Sequence, residues 1–216
     1  MMTLESQLQE IRNSTIKNVS ADILDVMLAE TEALRRQALE QNAPKLGELF
    51  PQFHLKDQLG NEVNLADSLS QGPVVLTFYR GGWCPYCNLE LRAYQQVLGE
   101  ISARGAKLLA ITPELPDASL TTAEKNALEF SVLSDPQALF AKQLGLVFTL
   151  PESLKPIYQK FGIDIEAHNG KGVFELPVAA TYVIDKSGLV IFADVNADYT
   201  RRAEPIDVIH ALEKIA

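Results

Sequence analysis

The sequence predicts an α/β domain, a mixed central sheet flanked by helices, with a helical arm ahead of it. Three observations predict it. First, Val74-Val75-Leu76-Thr77-Phe78-Tyr79 is a short continuous β-prone run bounded by Gly72-Pro73 and Gly81-Gly82, the pattern of a buried central strand. Second, a helical stripe of Leu91, Tyr94, Val97, Leu98 and Ile101 follows, Gly105 ends it, and residues 106–112 return as a strand. Strand, helix and strand in that order make a right-handed parallel crossover. Third, residues 180–185 and 189–195 are β-prone runs joined by Lys186-Ser187-Gly188, a three-residue hairpin connection with Gly at its left-handed position. Parallel and antiparallel pairs in one chain give a mixed sheet with helices on both faces.

The remaining elements follow in order. Residues 4–42 read as helical. Leu4, Leu8 and Ile11 suggest a first helix broken around Asn13-Ser14. Ser20 then N-caps a second helix with Ile23, Val26, Met27 and Leu34 on one face, and Pro44 stops the run. This arm, residues 1–44, is too thinly apolar to form a core alone. Residues 45–216 read as complete without it, so the arm lies either on its own main domain or across a second subunit, and the exchange, in which each arm lies across its neighbour in a homodimer, is the expected one of the two. Residues 53–65 alternate apolar and polar side chains around Gly60-Asn61, as a hairpin does. Asp135-Pro136 reads as the N-cap and first position of a helix that Gly145 closes, and Pro205 opens a last helix carrying Ile206, Ile209, Leu212 and Ile215.

A chain of 216 residues is long enough for one domain with a well-buried core plus an appendage. Its net charge of -9 argues against nucleic acid or an anionic membrane as partner, since both need clustered positive charge. Residues 1–20 are too polar for a secretory signal and no apolar run approaches a membrane span, so a cytoplasmic location is expected.

The two cysteines, Cys84 and Cys87, are the only ones in the chain. A structural disulfide acts by closing a long loop, and this spacing closes almost none. In a reducing compartment such a pair is kept for reactivity. Both sit where the first crossover strand turns into its helix, where free N–H groups and the dipole favour a thiolate. Pro85 suits the first helical position, which makes Cys84 an exposed N-cap and places Cys87 in the first turn, partly covered. One sulfur can then resolve a mixed disulfide formed by the other. A zinc site would need a second ligand pair, yet His54, His168 and His210 stand far apart, and haem attachment would need His where Asn88 stands. No metal and no cofactor is expected. The Gly81-Gly82-Trp83 lead-in suggests an open loop rather than two inert buried thiols.

On these residues the chain resembles the peroxiredoxin-like branch of the alkyl hydroperoxide reductase and thiol-specific antioxidant family, within the thioredoxin superfamily. The likeness runs from residue 45 to the C-terminus. It rests on Lys45-Leu46-Gly47 with Pro51-Gln52-Phe53, on Phe78-Tyr79-Arg80-Gly81-Gly82-Trp83-Cys84-Pro85-Tyr86-Cys87, on Leu133-Ser134-Asp135-Pro136, and on Thr181-Tyr182-Val183-Ile184-Asp185. It implies a thioredoxin-like, peroxiredoxin-type sheet and an antioxidant peroxidase recycled by a thioredoxin-type dithiol donor. The family motif Pro-x-x-x-Thr-x-x-Cys falls with Arg80 at Pro, Cys84 at Thr and Cys87 at the peroxidatic Cys. The family's second active-site Arg falls on Ala179, and the cis-Pro of thioredoxins is absent there too. Arg80 could supply that charge, although an Arg at a strand end ordinarily keeps its head in water. Trp83 could cover the sulfurs or simply pack on the sheet. Residues 198–202 resemble a segment of this branch, but Arg201-Arg202 reads first as a solvated loop.

Three functions remain open on the same two sulfurs. A thiol peroxidase would oxidise one cysteine to a sulfenic acid that condenses with the other to a redox-active disulfide. A thiol–disulfide oxidoreductase would use Cys84 as nucleophile on a disulfide substrate. A redox-sensing interaction module would have no turnover. Position at the N-cap favours Cys84 as attacker, and the family motif favours Cys87.

Overall fold

A computed structural model describes residues 3–215. The arm forms α1 (Leu4–Asn18) and α2 (Ala21–Arg36). The Thr3 hydroxyl accepts the Ser6 N–H and starts α1. The helix runs through Asn13-Ser14, because two polar residues cost a helix only tenths of a kcal/mol each. The break falls instead at Val19-Ser20, both extended.

The chain then makes a hairpin of β1 (His54–Asp57) and β2 (Glu62–Asn64), followed by α3 (Leu65–Gln71). Next come β3 (Val74–Phe78), α4 (Pro85–Gln96), α5 (Leu98–Ala103) and β4 (Lys107–Thr112). The single helix expected after the cysteines is thus two, parting at Val97. The strands β3 and β4 pair in parallel, as the crossover predicts. α6 (Pro116–Lys125) and β5 (Ser131–Ser134) follow.

The helix expected at Pro136 begins later, as α7 (Leu139–Gln143), because Gln137 and Ala138 turn left-handed at φ 60° and 52°. The Asp135 carboxylate still caps it, accepting the Phe140 and Ala141 N–H groups at 2.9 Å each. The rest comprises β6 (Val147–Thr149), α8 (Lys155–Lys160), α9 (Ile165–Asn169), β7 (Glu175–Pro177), β8 (Ala179–Ile184), β9 (Val190–Asn196) and α10 (Pro205–Glu213).

Seven strands form one mixed sheet in the order β2-β1-β5-β4-β3-β8-β9, and β6 pairs with β7 apart from it. Along β3 the side chains alternate between two cores. Val74, Leu76 and Phe78 face one, which Leu34 of α2 joins; Val75 and Tyr79 face the other, which holds Leu4, Leu8 and both cysteines. Ile23 enters a third cluster with Leu150, Tyr158 and Leu176.

Ile23 and Leu34 of the arm's apolar face are therefore buried against their own chain, while Val26 and Met27 are partly covered. The arm thus folds back on its own chain, which is the alternative to an exchange of arms between subunits. Polar contacts fasten the arm as well. The Glu204 carboxylate accepts the N–H groups of Leu4 and Glu5 at 3.2 and 2.6 Å, Arg12 donates to the Thr200 carbonyl at 2.8 Å, and Arg35 pairs with Asp198 at 2.6 Å. Among the described residues no helix is long and apolar enough to cross a membrane.

Candidate active site

The chain leaves the end of β3 at Tyr79 and enters α4 at Pro85, so the cysteines lie at the C-terminal edge of the parallel strands, where open α/β sheets place their sites. Cys84 is the N-cap and Pro85 the first helical residue, as the spacing predicts. The expected exposure is wrong: Cys84 and Cys87 are both 0% exposed. The two glycines serve close packing rather than an open loop. A Cβ at Gly81 would lie 2.3 Å from Trp83 Nε1, and one at Gly82 would lie 2.0 Å from Thr122 Oγ1. Glu114, itself buried, accepts the Gly82 N–H at 3.0 Å, and Asn88 Nδ2 donates to the Gly82 carbonyl at 2.8 Å. Glu114 also pairs with His168 Nδ1 at 2.8 Å, which ties the loop to α9.

Each sulfur has its own guanidinium. Arg80 Nη2 lies 3.5 Å from Cys84 Sγ, and Arg202 Nη2 lies 3.3 Å from Cys87 Sγ. The solvated reading of Arg80 fails. Its guanidinium is stacked 4.2 Å from the Tyr199 ring centre and 5.2 Å from that of Trp83, and its Nη1 donates to Tyr158 Oη at 3.1 Å. The loop reading of the paired arginines holds for Arg201, which is exposed, and fails for Arg202. Arg202 is buried with its Nε on Glu90 at 2.7 Å, while its Nη1 donates to the carbonyls of Tyr199 and Arg201. Trp83 covers the site: half-buried, it packs on Arg80 and sits 5.6 Å from the Tyr158 ring.

Electrostatics separates the two thiols. Burial pushes both up. At Cys84 a hydrogen bond from the Cys87 thiol, together with the Arg80 and Arg202 charges, reverses that and holds it well below the ordinary thiol range. At Cys87 burial and the neighbouring Cys84 act together, so it stays well above that range. The pair therefore carries one thiolate and one thiol at neutral pH, a nucleophile with a resolving partner beside it. Burial pushes Glu90 up to about 7 against the pull of Arg202.

Sequence reasoning finds both sulfurs, Arg80 and Trp83, and the structure brings all four together. It misses Glu90, Glu114 and Tyr158, and it reads the segment that carries Tyr199 and Arg202 as a solvated loop. For Glu90 a signal exists. Glu90 lies four residues before Tyr94, on the apolar stripe of its helix, and a charge there calls for a buried partner.

Comparison with known proteins fits this geometry. The model of the AhpC/TSA family matches residues 46–193. Peroxiredoxin Bcp of Escherichia coli (strain K12) is 32% identical over 105 residues, 49% of this chain and 67% of that protein. The putative peroxiredoxin Rv2521 of Mycobacterium tuberculosis (strain ATCC 25618 / H37Rv) is 27% identical over 154 residues, covering 71% and 87%. Among solved structures, Peroxidoxin BcpB from Mycobacterium tuberculosis superposes with a TM-score of 0.63 at 24% identity, covering 80% of this chain and 99% of that one, and so shares the fold. The arm lies ahead of the residues that the family model matches.

Proposed function

The chain belongs to the AhpC/TSA family and is a peroxiredoxin-like, thiol-dependent peroxidase, and from that premise we propose that Cys84 attacks the peroxide and Cys87 resolves it. The carrying observation is Arg80, which lines the open groove beside Trp83 and whose Nη2 lies 3.5 Å from Cys84 Sγ, so the charge that meets a peroxide in the groove is the one paired with Cys84. The Cys84 thiolate displaces on the terminal oxygen of ROOH. The O–O bond breaks, the S–O bond forms, and the electron pair leaves on RO⁻, which takes the Cys87 proton and departs as ROH. The Cys87 thiolate then attacks the Cys84 sulfenic acid, closing a disulfide and releasing hydroxide that is protonated to water. A thioredoxin-type dithiol donor returns both sulfurs to thiols and is itself oxidised. Arg80 and Arg202 stabilise the thiolate and the charge that develops on the leaving oxygen.

Hydrogen peroxide and organic hydroperoxides are small enough to enter, whereas a protein disulfide would have to reach sulfurs buried beneath Trp83 and the arm. That burial favours the peroxidase over the disulfide oxidoreductase with the same nucleophile. A dithiol donor needs the first turn of α4 uncovered once the disulfide has closed. We place the working protein in a reducing compartment, the cytoplasm, because its only cysteines form a reactive pair. A homodimer is the proposed assembly, held by surface other than the stripe of Ile23, Val26, Met27 and Leu34. Light scattering at micromolar concentration tests that, and a monomeric mass ends it.

The test of the chemistry is the pair of single mutants. Cys84→Ser should lose peroxide consumption. Cys87→Ser should complete one turnover and leave a sulfenic acid on Cys84, read by mass spectrometry. The opposite pattern moves the attack to Cys87, and undiminished consumption in both mutants sinks the use of this pair.

A further inference from the structure

Arg80 and Met27 of α2 both line two cavities. The wider, about 440 Å³ and open to solvent, has Thr15, Val19 and Met27 of the arm on one wall and Tyr86, Tyr158 and Phe161 on the other. The tighter, about 50 Å³, runs beneath α2 toward Leu34, Phe148 and Val178. Two donors on residues lining the wider cavity, Arg80 Nε and Trp83 Nε1, are buried and have no hydrogen-bond partner among the described residues. Arg80 is only 5% exposed, so an unanswered N–H there calls for an acceptor. A groove with one charged side chain, Arg80, and walls of apolar and aromatic side chains has the form of a small-molecule pocket.

We propose that this groove binds the apolar body of an organic hydroperoxide, and that Thr15, Val19 and Met27 of the arm set the size of body it takes. The inference rests on the peroxidase reading and deepens it. The peroxide oxygens lie against Arg80, whose Nη2 is 3.5 Å from Cys84 Sγ, and the carbon body extends outward between the arm and the aromatic wall. Hydrogen peroxide has nothing to place against these walls, so they discriminate by substrate body alone. One methylene in a hydrophobic pocket is worth about 10-fold or more, and a phenyl group should give at least that. The selecting wall comes from residues ahead of the family match, so it is a property of this chain's arm.

The test uses the full chain with hydrogen peroxide and cumene hydroperoxide. Wild type should favour cumene hydroperoxide in kcat/KM by about 10-fold or more. Val19→Phe, which narrows the groove, should lower the cumene-to-hydrogen-peroxide ratio by about 10-fold, with the change in KM rather than kcat. Met27→Ala, which removes a side chain that lines both cavities, should raise the ratio for linoleic acid hydroperoxide over cumene hydroperoxide. A readout without turnover is saturable quenching of Trp83 fluorescence by 2-phenyl-2-propanol, weaker in Val19→Phe than in wild type. Equal kcat/KM for both peroxides in wild type, or unchanged ratios in both variants, would overturn the proposal. Wild type that consumes neither peroxide would sink the peroxidase reading instead, and quenching by the alcohol would still decide the groove.

Discussion

Arg80 and Arg202 approach their sulfurs to similar distances, 3.5 and 3.3 Å, yet their surroundings give them different work. Arg80 is held by aromatic faces and the Tyr158 hydroxyl, with no carboxylate among the described residues paired to it. Arg202 is neutralised in part by Glu90, and both of those side chains are 1% exposed. The Cys84 thiolate therefore leans on Arg80. Ultraviolet titration of reduced protein should show one thiolate per chain at neutral pH, lost in Cys84→Ser and shifted to higher pH in Arg80→Gln. Arg80→Gln should also lower kcat/KM for peroxide by about 100–1,000-fold, the usual effect of removing a donor from developing negative charge. Titration curves of wild type and Arg80→Gln that coincide would refute this assignment. Glu90 carries a different pH signature. Its folded value of about 7 lies above the ordinary 4.5, so between those values the folded chain holds a proton that the unfolded chain has lost. Stability from this group is complete below about pH 4.5 and falls as pH rises toward 7, by at most about 1.4 kcal/mol per pH unit. The urea midpoint of wild type should fall relative to that of Glu90→Gln between pH 5 and pH 7, and the gap should stop changing above that. A constant gap across the range would show that Glu90 is already ionised at pH 5. The cysteines were legible because strand, Gly-Gly, Cys-Pro-x-Cys and helix are adjacent in sequence. Arg202 was not, because its partner Glu90 lies 112 residues away and nothing local distinguishes it from Arg201.

At the scale of elements, legibility follows the distance of whatever fixes each one. The strand β3 carries its own flanking glycines and its own apolar run, and the β8–β9 hairpin carries Gly188 at φ 89°. Those elements match the sequence reading. The start of α7 was misplaced because its cap is a carboxylate four residues before its first residue, across two left-handed positions. Sequence could not choose between docking of the arm on its own chain and on a neighbour for the same reason, since Leu8 and Leu34 find their partners far along the chain. Its two kinds of contact should separate on mutation. Leu8 is 0% exposed, so Leu8→Ala should cost about 2–5 kcal/mol. Arg35 is nearly half exposed, so Arg35→Ala should cost no more than about 1 kcal/mol even though its ion pair with Asp198 is short. Urea denaturation of both variants checks the contrast, and equal losses would contradict the division of labour drawn here.

Across the whole molecule, the arm joins three packing regions that residues 45–216 leave incomplete. Leu4 and Leu8 fill the core that holds the cysteines, Leu34 fills the core on the opposite face of the sheet, and Ile23 fills the cluster under α8. At about 1.5–3 kcal/mol for each buried side chain, these four account for ~6–12 kcal/mol of burial. A whole domain retains only about 5–15 kcal/mol after its entropy is met, so the arm is comparable to the total margin. The same helices fasten the segment that carries Tyr199 and Arg202, through Arg35 on Asp198, Arg12 on the Thr200 carbonyl and the start of α1 on Glu204. Stability and the placing of the charged groups are therefore linked through one element. A chain beginning at Lys45 should lose its cooperative urea transition or move its midpoint far below that of the full chain, and its peroxidase activity should go with it. Circular dichroism during urea titration, alongside light scattering of both chains, makes the measurement. A shortened chain that unfolds cooperatively at the full-length midpoint would mean that the arm is an accessory. The peroxide site would then have to be complete within residues 45–216, and the wall formed by Thr15, Val19 and Met27 would be dispensable.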